Sequence, residues 1–251
     1  MRHFPALLRH ELRSLAHAPS TYVAGVLFLL LMAAIYYLLL SQYAAEQFSV
    51  PPGEMFFQAF WLPVLFMVPL LTMRSLAEER RMHTLETLLS APVTTTEVIL
   101  SKFVASWVLY CLLWLGVMIF PVITVYGTSG ADARLLMHMP VLLGGYAFVC
   151  ISGLLYIAAG ILSSTLTRSQ LVAGILCFGV LFILLLGPRL IGTQELGPWS
   201  EWLKEPLHYF DSSAHRDSFT RGVLDTRPFL YYLSNSSLVL MIAALVVESK
   251  S

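Results

Sequence analysis

RSLAEERRMHTLETLLSAPVTTTEVILSK, Arg74 to Lys102, gathers Glu78, Glu79, Arg80, Arg81, His83 and Glu86 between two stretches of almost pure hydrocarbon. The surrounding chain has 251 residues, of which 57% are hydrophobic and only 12% charged. Its mean hydropathy of +0.75 is that of a polytopic membrane protein, not of a soluble globule. The charged island therefore reads as a connector between two membrane spans.

Outward from it, six segments are long and apolar enough to cross a hydrocarbon core about 30 Å thick. They cover roughly 21–41, 56–73, 100–126, 139–163, 170–190 and 229–247. A backbone inside lipid must satisfy its own hydrogen bonds, so these are helices; the alternation of a membrane barrel is missing. The sequence thus predicts an all-α membrane protein forming one transmembrane domain over 1–251. Pro63 and Pro69 are expected to bend the second span and Pro121 the third, since each removes a donor and crowds the preceding turn. Cys111, Cys150 and Cys177 all fall within apolar runs and read as small buried hydrophobes.

Lys and Arg in the short connections set orientation. Arg2, Arg9 and Arg13 precede the first span, and Arg74, Arg80, Arg81 and Lys102 mark the quoted stretch, whereas the 41–55 loop has none. Arg168 and Lys250 continue the alternation, which puts both termini and the quoted stretch in the cytoplasm. The 191–228 connection, with Lys204, Arg216, Arg221 and Arg227, falls outside, where long loops are a weaker guide.

Two segments are expected to lie along the membrane. Over residues 1–18, Phe4, Leu8, Leu12 and Leu15 share a helical stripe while Arg9, Arg13 and His17 lie elsewhere, the pattern of an interfacial helix touching lipid headgroups. In GPWSEWLKEPLHYF, Trp199 and Trp202 stand three apart beside Leu203, which suits either a short outer or re-entrant helix or an ordered loop packed on the bundle.

Within the connector, Met82, Leu85, Leu88 and Leu89 share one face of a predicted helix. Glu78, Glu79, Arg80, Arg81, His83, Glu86 and Thr87 occupy the rest. Ala91-Pro92 ends that helix, and Thr94 with Glu97 forms a T-x-x-E capping box for the third span. Such a segment is either a solvated connector or an amphipathic helix seeking an apolar partner, which lipid or a groove on a cytoplasmic protein can supply. Its length favours the second, because two spans can be joined with fewer residues.

The run LAEERRMHTLETLLSAPVTTTEVILSKFVASW resembles the corresponding segment of ABC-2-type transporter permeases: an acidic-basic pair, Thr-x-Glu, leucines, Ala/Ser-Pro, then a Lys opening the next helix. HELRSLAHAPSTYV is similar to the elbow helix and first-span entry of that family. FTRGVLDTRPFLYYLS, Phe219 to Ser234, resembles the stretch before the last span in its gliding-motility and nitrous-oxide-accessory branches. The resemblance implies a permease subunit in a bacterial inner membrane, exporting by alternating access. It implies a homodimer or a pair with a paralogous protomer, bound to two copies of an ABC ATPase. A coupling helix would dock on that ATPase, placing Glu78, Glu79, Arg80, Arg81, Met82, His83, Thr84, Leu85, Glu86, Leu88 and Leu89 at or near the contact. His83 stands where the family usually has Gly.

No G-x-x-x-x-G-K-[ST] loop is present to cradle nucleotide phosphates, so ATP and Mg would belong to the partner ATPase, and no cofactor, metal or catalytic residue is assigned to this chain. A formal net charge of zero gives no basic field for nucleic acid. His3, His10 and His17 recur every seven residues, about 10 Å apart along a helix, too far to ligate one ion. Two other readings stay open. One is a membrane enzyme using His208, Asp211, His215 and Asp217 on the outer loop; the other is a non-transporting anchor for an ATPase-driven envelope or motility complex. Ser234, Asn235, Ser236 and Ser237 in the sixth span are expected to bond neighbouring helices, and Gly160 with Ser164 to allow close helix contact.

Overall fold

A computed structural model describes residues 3–46, 56–82, 93–127, 139–192, 212–220 and 226–249. The elements among them are helical. In chain order they are α1 (Phe4–His17), α2 (Pro19–Glu46), α3 (Trp61–Thr72), α4 (Ala77–Arg81) and α5 (Thr95–Val117). They continue with α6 (Ile119–Gly127), α7 (Met139–Leu166), α8 (Gln170–Gly192), α9 (Ser212–Thr220) and α10 (Thr226–Glu248). Six stretches are long and apolar enough to cross a membrane: Pro19–Gln42, Trp61–Arg81, Thr95–Thr124, Met139–Leu166, Gln170–Pro188 and Thr226–Glu248.

α7 is the axis of the bundle, packing against α3, α5, α8, α9 and α10. It can do so because its contact face is stripped to small residues. A Cβ on Gly160 would stand 2.3 Å from Thr72 Oγ1, and one on Gly144 would stand 2.1 Å from the Phe219 carbonyl oxygen. Glycine is what lets α3 and α9 approach so closely. The cost shows in exposure: 61% of the apolar window of α7 is buried, against 28% for α2 and 22% for α8. α2 and α8 flank α3 and present Leu30, Tyr37, Ile175 and Ile183 outward, as lipid-facing helices do.

The prolines act as interruptions. Ahead of Pro63, a helical turn at 56–58 gives way to a turn at Ala59–Phe60, and α3 starts at Trp61. Pro63 cannot donate to the Ala59 carbonyl four residues back, which accepts instead from Leu62 N at 3.2 Å. Pro69 lies inside α3 and is accommodated there. Pro121 breaks the third span at Met118, four residues after Trp114, so that α5 and α6 are separate helices; its ring opposes the Val117 carbonyl that a continuous helix would use. At the start of α5, Thr94 accepts from Glu97 N while the Glu97 carboxylate accepts from Thr94 N, the reciprocal box read from the sequence.

α1 is amphipathic as expected. Phe4, Leu8, Leu12 and Leu15 are half-buried and Arg9, Arg13 and His17 exposed, on a helix that packs against α5. Cys177 is buried, Cys111 and Cys150 are half-buried, and all three are free. The sixth-span polar run departs from expectation. Ser234 and Asn235 bond the Tyr231 carbonyl, while Ser236 and Ser237 bond that of Leu233, all on their own helix. Short polar side chains reach the carbonyl three or four residues back more readily than another helix.

Candidate functional site

The connector converges with α1, α2, α5 and α7 at the end of the bundle where α1 lies. α3 stops after Thr72, and Met73 to Leu76 form a turn in which Met73 N bonds the Pro69 carbonyl at 2.8 Å and Ser75 N that of Thr72 at 3.0 Å. Leu76, at the N-cap of α4, has no side chain able to cap. The first turn of any helix has unsatisfied N–H groups, and here the hydroxyl of Ser164 on α7 accepts two of them, from Leu76 N at 3.0 Å and Ala77 N at 2.9 Å. At its other end, Arg80 donates through Nη1 to the Thr165 carbonyl near the end of α7, where carbonyls lack helical donors and the dipole favours a cation. α4 is thus fastened to α7 at both ends.

The charged side chains of α4 tie it to the other three helices. Lys102 on α5 has a side chain only 3% exposed, and its Nζ lies 2.6 Å from Glu79 Oε1 on α4 and 2.7 Å from Glu11 Oε1 on α1. A buried ammonium is expensive to desolvate, and two carboxylates on different helices offset that cost only while both helices stay in place. Arg74 holds Glu78 with two bonds, Nε to Oε2 at 2.8 Å and Nη2 to Oε1 at 3.2 Å, and donates from Nη1 to Ser20 Oγ on α2 at 2.6 Å. Its planar guanidinium can serve both partners at once.

The residues expected at a partner contact therefore divide. Glu78, Glu79 and Arg80 are half-buried and turned toward the bundle; Arg81 and Met82 are exposed, Met82 at 62%. His83, Thr84, Leu85, Glu86, Leu88 and Leu89 lie outside the described residues. The inward partners Glu11, Ser20 and Ser164 were not among the expected site residues. A signal for Glu11 alone was available: Lys102 sits two turns into an apolar span, where a cation needs acidic company.

Two of the four residues of the candidate His/Asp group are described. His208 and Asp211 lie outside the described residues. On α9, the buried His215 ring has Nδ1 3.3 Å from the Tyr232 hydroxyl, and Asp217 accepts from Arg216 at 2.6 Å. Ser212 accepts from Tyr156 at 3.1 Å and from Tyr232 at 3.4 Å. These contacts hold α9 on α7 and α10. Among the described residues no group of three or more His, Cys, Asp or Glu side chains is arranged to hold a metal.

Ion pairs, a guanidinium fork and a shared cap join one short helix to four others. A family model described as ABC-2 family transporter protein matches residues 6–247, which includes every residue of this junction. Among curated proteins, none matches the chain.

Proposed function

The chain belongs to the ABC-2 family of transporter proteins, and from that premise we propose that the 74–98 connector is where an ATPase subunit drives the bundle. As a family member the chain is the membrane permease component of an ABC transporter, a multi-pass part that associates with an ABC ATPase subunit and is not itself catalytic. In the proposed reading, two ATPase copies, each holding ATP and Mg, dock on Arg81, Met82 and the residues up to Leu89. The chain pairs with a second protomer, identical or paralogous. The α1 end and both termini face the cytoplasm of a bacterial inner membrane, as the Lys and Arg distribution favours.

The observation that carries this reading is the Lys102 junction. Closure of the ATPase pair pushes α4, and Glu79 transmits the push through Lys102 to α5 and Glu11 to α1. Arg74 passes it to α2 at Ser20, and Ser164 receives it on α7. Rigid pairs of this kind move helices as bodies, as alternating access requires. Export is the direction favoured by the family resemblance, and Phe219–Ser234 supports the gliding-motility and nitrous-oxide-accessory branch.

The test separates docking from transmission. Arg81→Glu with Met82→Asp should abolish co-purification of the ATPase with the permease. Glu79→Gln should leave the ATPase bound and remove the stimulation of its ATP turnover by the permease. Unchanged recovery in the first variant and unchanged stimulation in the second would overturn the proposal.

A further inference from the structure

The second and third spans are interrupted in the same way, each three residues ahead of a proline. In the second, the turn at Ala59–Phe60 carries three-back bonds in place of helical ones. Phe60 N bonds the Phe57 carbonyl at 3.4 Å and Leu62 N that of Ala59 at 3.2 Å. In the third, Met118 N bonds the Leu115 carbonyl at 3.1 Å instead of that of Trp114, and Pro121 has no N–H for Val117.

One side chain of α2 touches the chain beyond both interruptions. The Tyr36 ring meets Phe56 edge-on at 5.5 Å and stacks on Phe120 at 6.0 Å, and its hydroxyl stands 2.6 Å from Thr124 Oγ1 on α6. The second span runs toward the connector and the third away from it. Phe56, before its break, and Phe120, after its own, therefore lie on the same side, remote from α4. Thr124 turns its own hydroxyl proton back to the Phe120 and Pro121 carbonyls, 3.0 and 2.9 Å away, so Tyr36 is the donor.

The pieces beyond the two breaks are held differently. Phe56 and Phe57 are fully buried, and a Cβ on Gly145 of α7 would stand 2.3 Å from the Phe57 ring. The 56–58 turn is thus anchored in the bundle. α6 packs chiefly on α5, the helix it continues, and its Ile119 and Ile123 are exposed. A helix end joined to its parent at a proline-weakened step can swing there, because a few element-terminal residues absorb such a motion. Tyr36 ties the far end of α6 to α2. On the same face of α2, Phe28, Met32 and Tyr36 recur every four residues. Phe28 meets Trp114 edge-on at 5.3 Å and Tyr36 meets Phe120, so the fully buried Met32 between them faces the step at Met118.

We propose that α6 is a hinged flap closing the end of the bundle remote from α4, with Met118–Pro121 as its hinge and the Tyr36–Thr124 bond as its latch. Open, the flap uncovers an apolar wall of Met32, Tyr36 and Phe56 between the first and third spans. The device belongs to this chain and does not depend on what drives α4.

The test uses the full chain in lipid nanodiscs with Met32→Cys as a reporter, since a thiol reacts with a water-soluble maleimide only as the thiolate, which needs water. Labelling at position 32, followed by peptide mass spectrometry, should be slow. Adding Tyr36→Phe or Thr124→Val should speed it about fivefold, the effect of one lost hydrogen bond. Native Cys177, buried on α8 beside Thr72, is the control and should keep its rate. Amide hydrogen exchange should quicken over Ile119–Thr124 and stay unchanged over α5 before Trp114. Labelling left unchanged by either latch variant would overturn the flap. So would Cys177 labelled faster in step with position 32, or exchange rising equally along α5, since either marks general loosening.

Discussion

Glu79 on α4 and Lys102 on α5 meet at 2.6 Å, 23 residues apart in sequence, with Glu11 of α1 closing the triangle from the other side of the ammonium. The charges that make the connector look soluble in the sequence are, in large part, the bolts that hold it to the bundle.

Removing the cation alone should be the most damaging change at the junction. Lys102→Met leaves two partly buried carboxylates facing each other, at a cost of about 3–5 kcal/mol. The triple change Lys102→Met, Glu11→Gln, Glu79→Gln removes the uncompensated charge, so the melting temperature should return to near that of the parent. Stimulation of the partner ATPase should stay lost. Thermal unfolding in detergent, set beside ATP turnover, checks both halves.

Ser164→Ala removes the acceptor for Leu76 N and Ala77 N. Loss of an N-terminal cap costs about 1 kcal/mol, and the effect should be local. Limited proteolysis should cut faster near Arg80 and Arg81, with little change in the global melting temperature. Ser164→Thr, which keeps the hydroxyl, should protect the site.

Gly160→Ala puts a methyl group 2.3 Å from Thr72 Oγ1 and 2.8 Å from its Cβ. Overpacking of this kind costs about 1–3 kcal/mol. Thr72→Ala in the same chain should recover part of that loss, since it removes two of the three atoms in the way. The measurement is a double-mutant cycle on melting temperature, with additive effects counting against direct contact.

Thr94→Ala should destabilise the start of α5 by about 1 kcal/mol through loss of the capping box. Hydrogen exchange of the amides at Glu97 and Val98 should speed up, while those beyond Trp107 keep their protection.

What the sequence made legible was local or periodic. The six spans follow from runs of hydrocarbon side chains, the α1 stripe from a 3.6-residue period, and the Thr94–Glu97 box from a spacing of three. Partners far along the chain were hidden. Lys102 was readable as a basic residue near a span end, but not as the counter-ion of Glu11, 91 residues earlier. Gly160 and Ser164 were readable as a small-residue pair; that the serine caps another helix depends on how α3 and α7 pack. Pro63 was read as a bend within a span continuous from 56, and the helix is interrupted at Ala59–Phe60, just before it. The Met82–Leu89 face is the part of the candidate site on which only Met82 is described.

The cap on α4 also carries a clock. Leu76 is made 88 residues before the serine that accepts its N–H. At a ribosomal pace of about 5–20 residues per second, that is a wait of roughly 4–18 s. Throughout it Glu11, Ser20 and, 26 residues after Leu76, Lys102 are available to the charged side chains of the connector, but the Ser164 cap is not. Insertion of the fourth span, which brings Ser164, would end that interval and fix the start of α4.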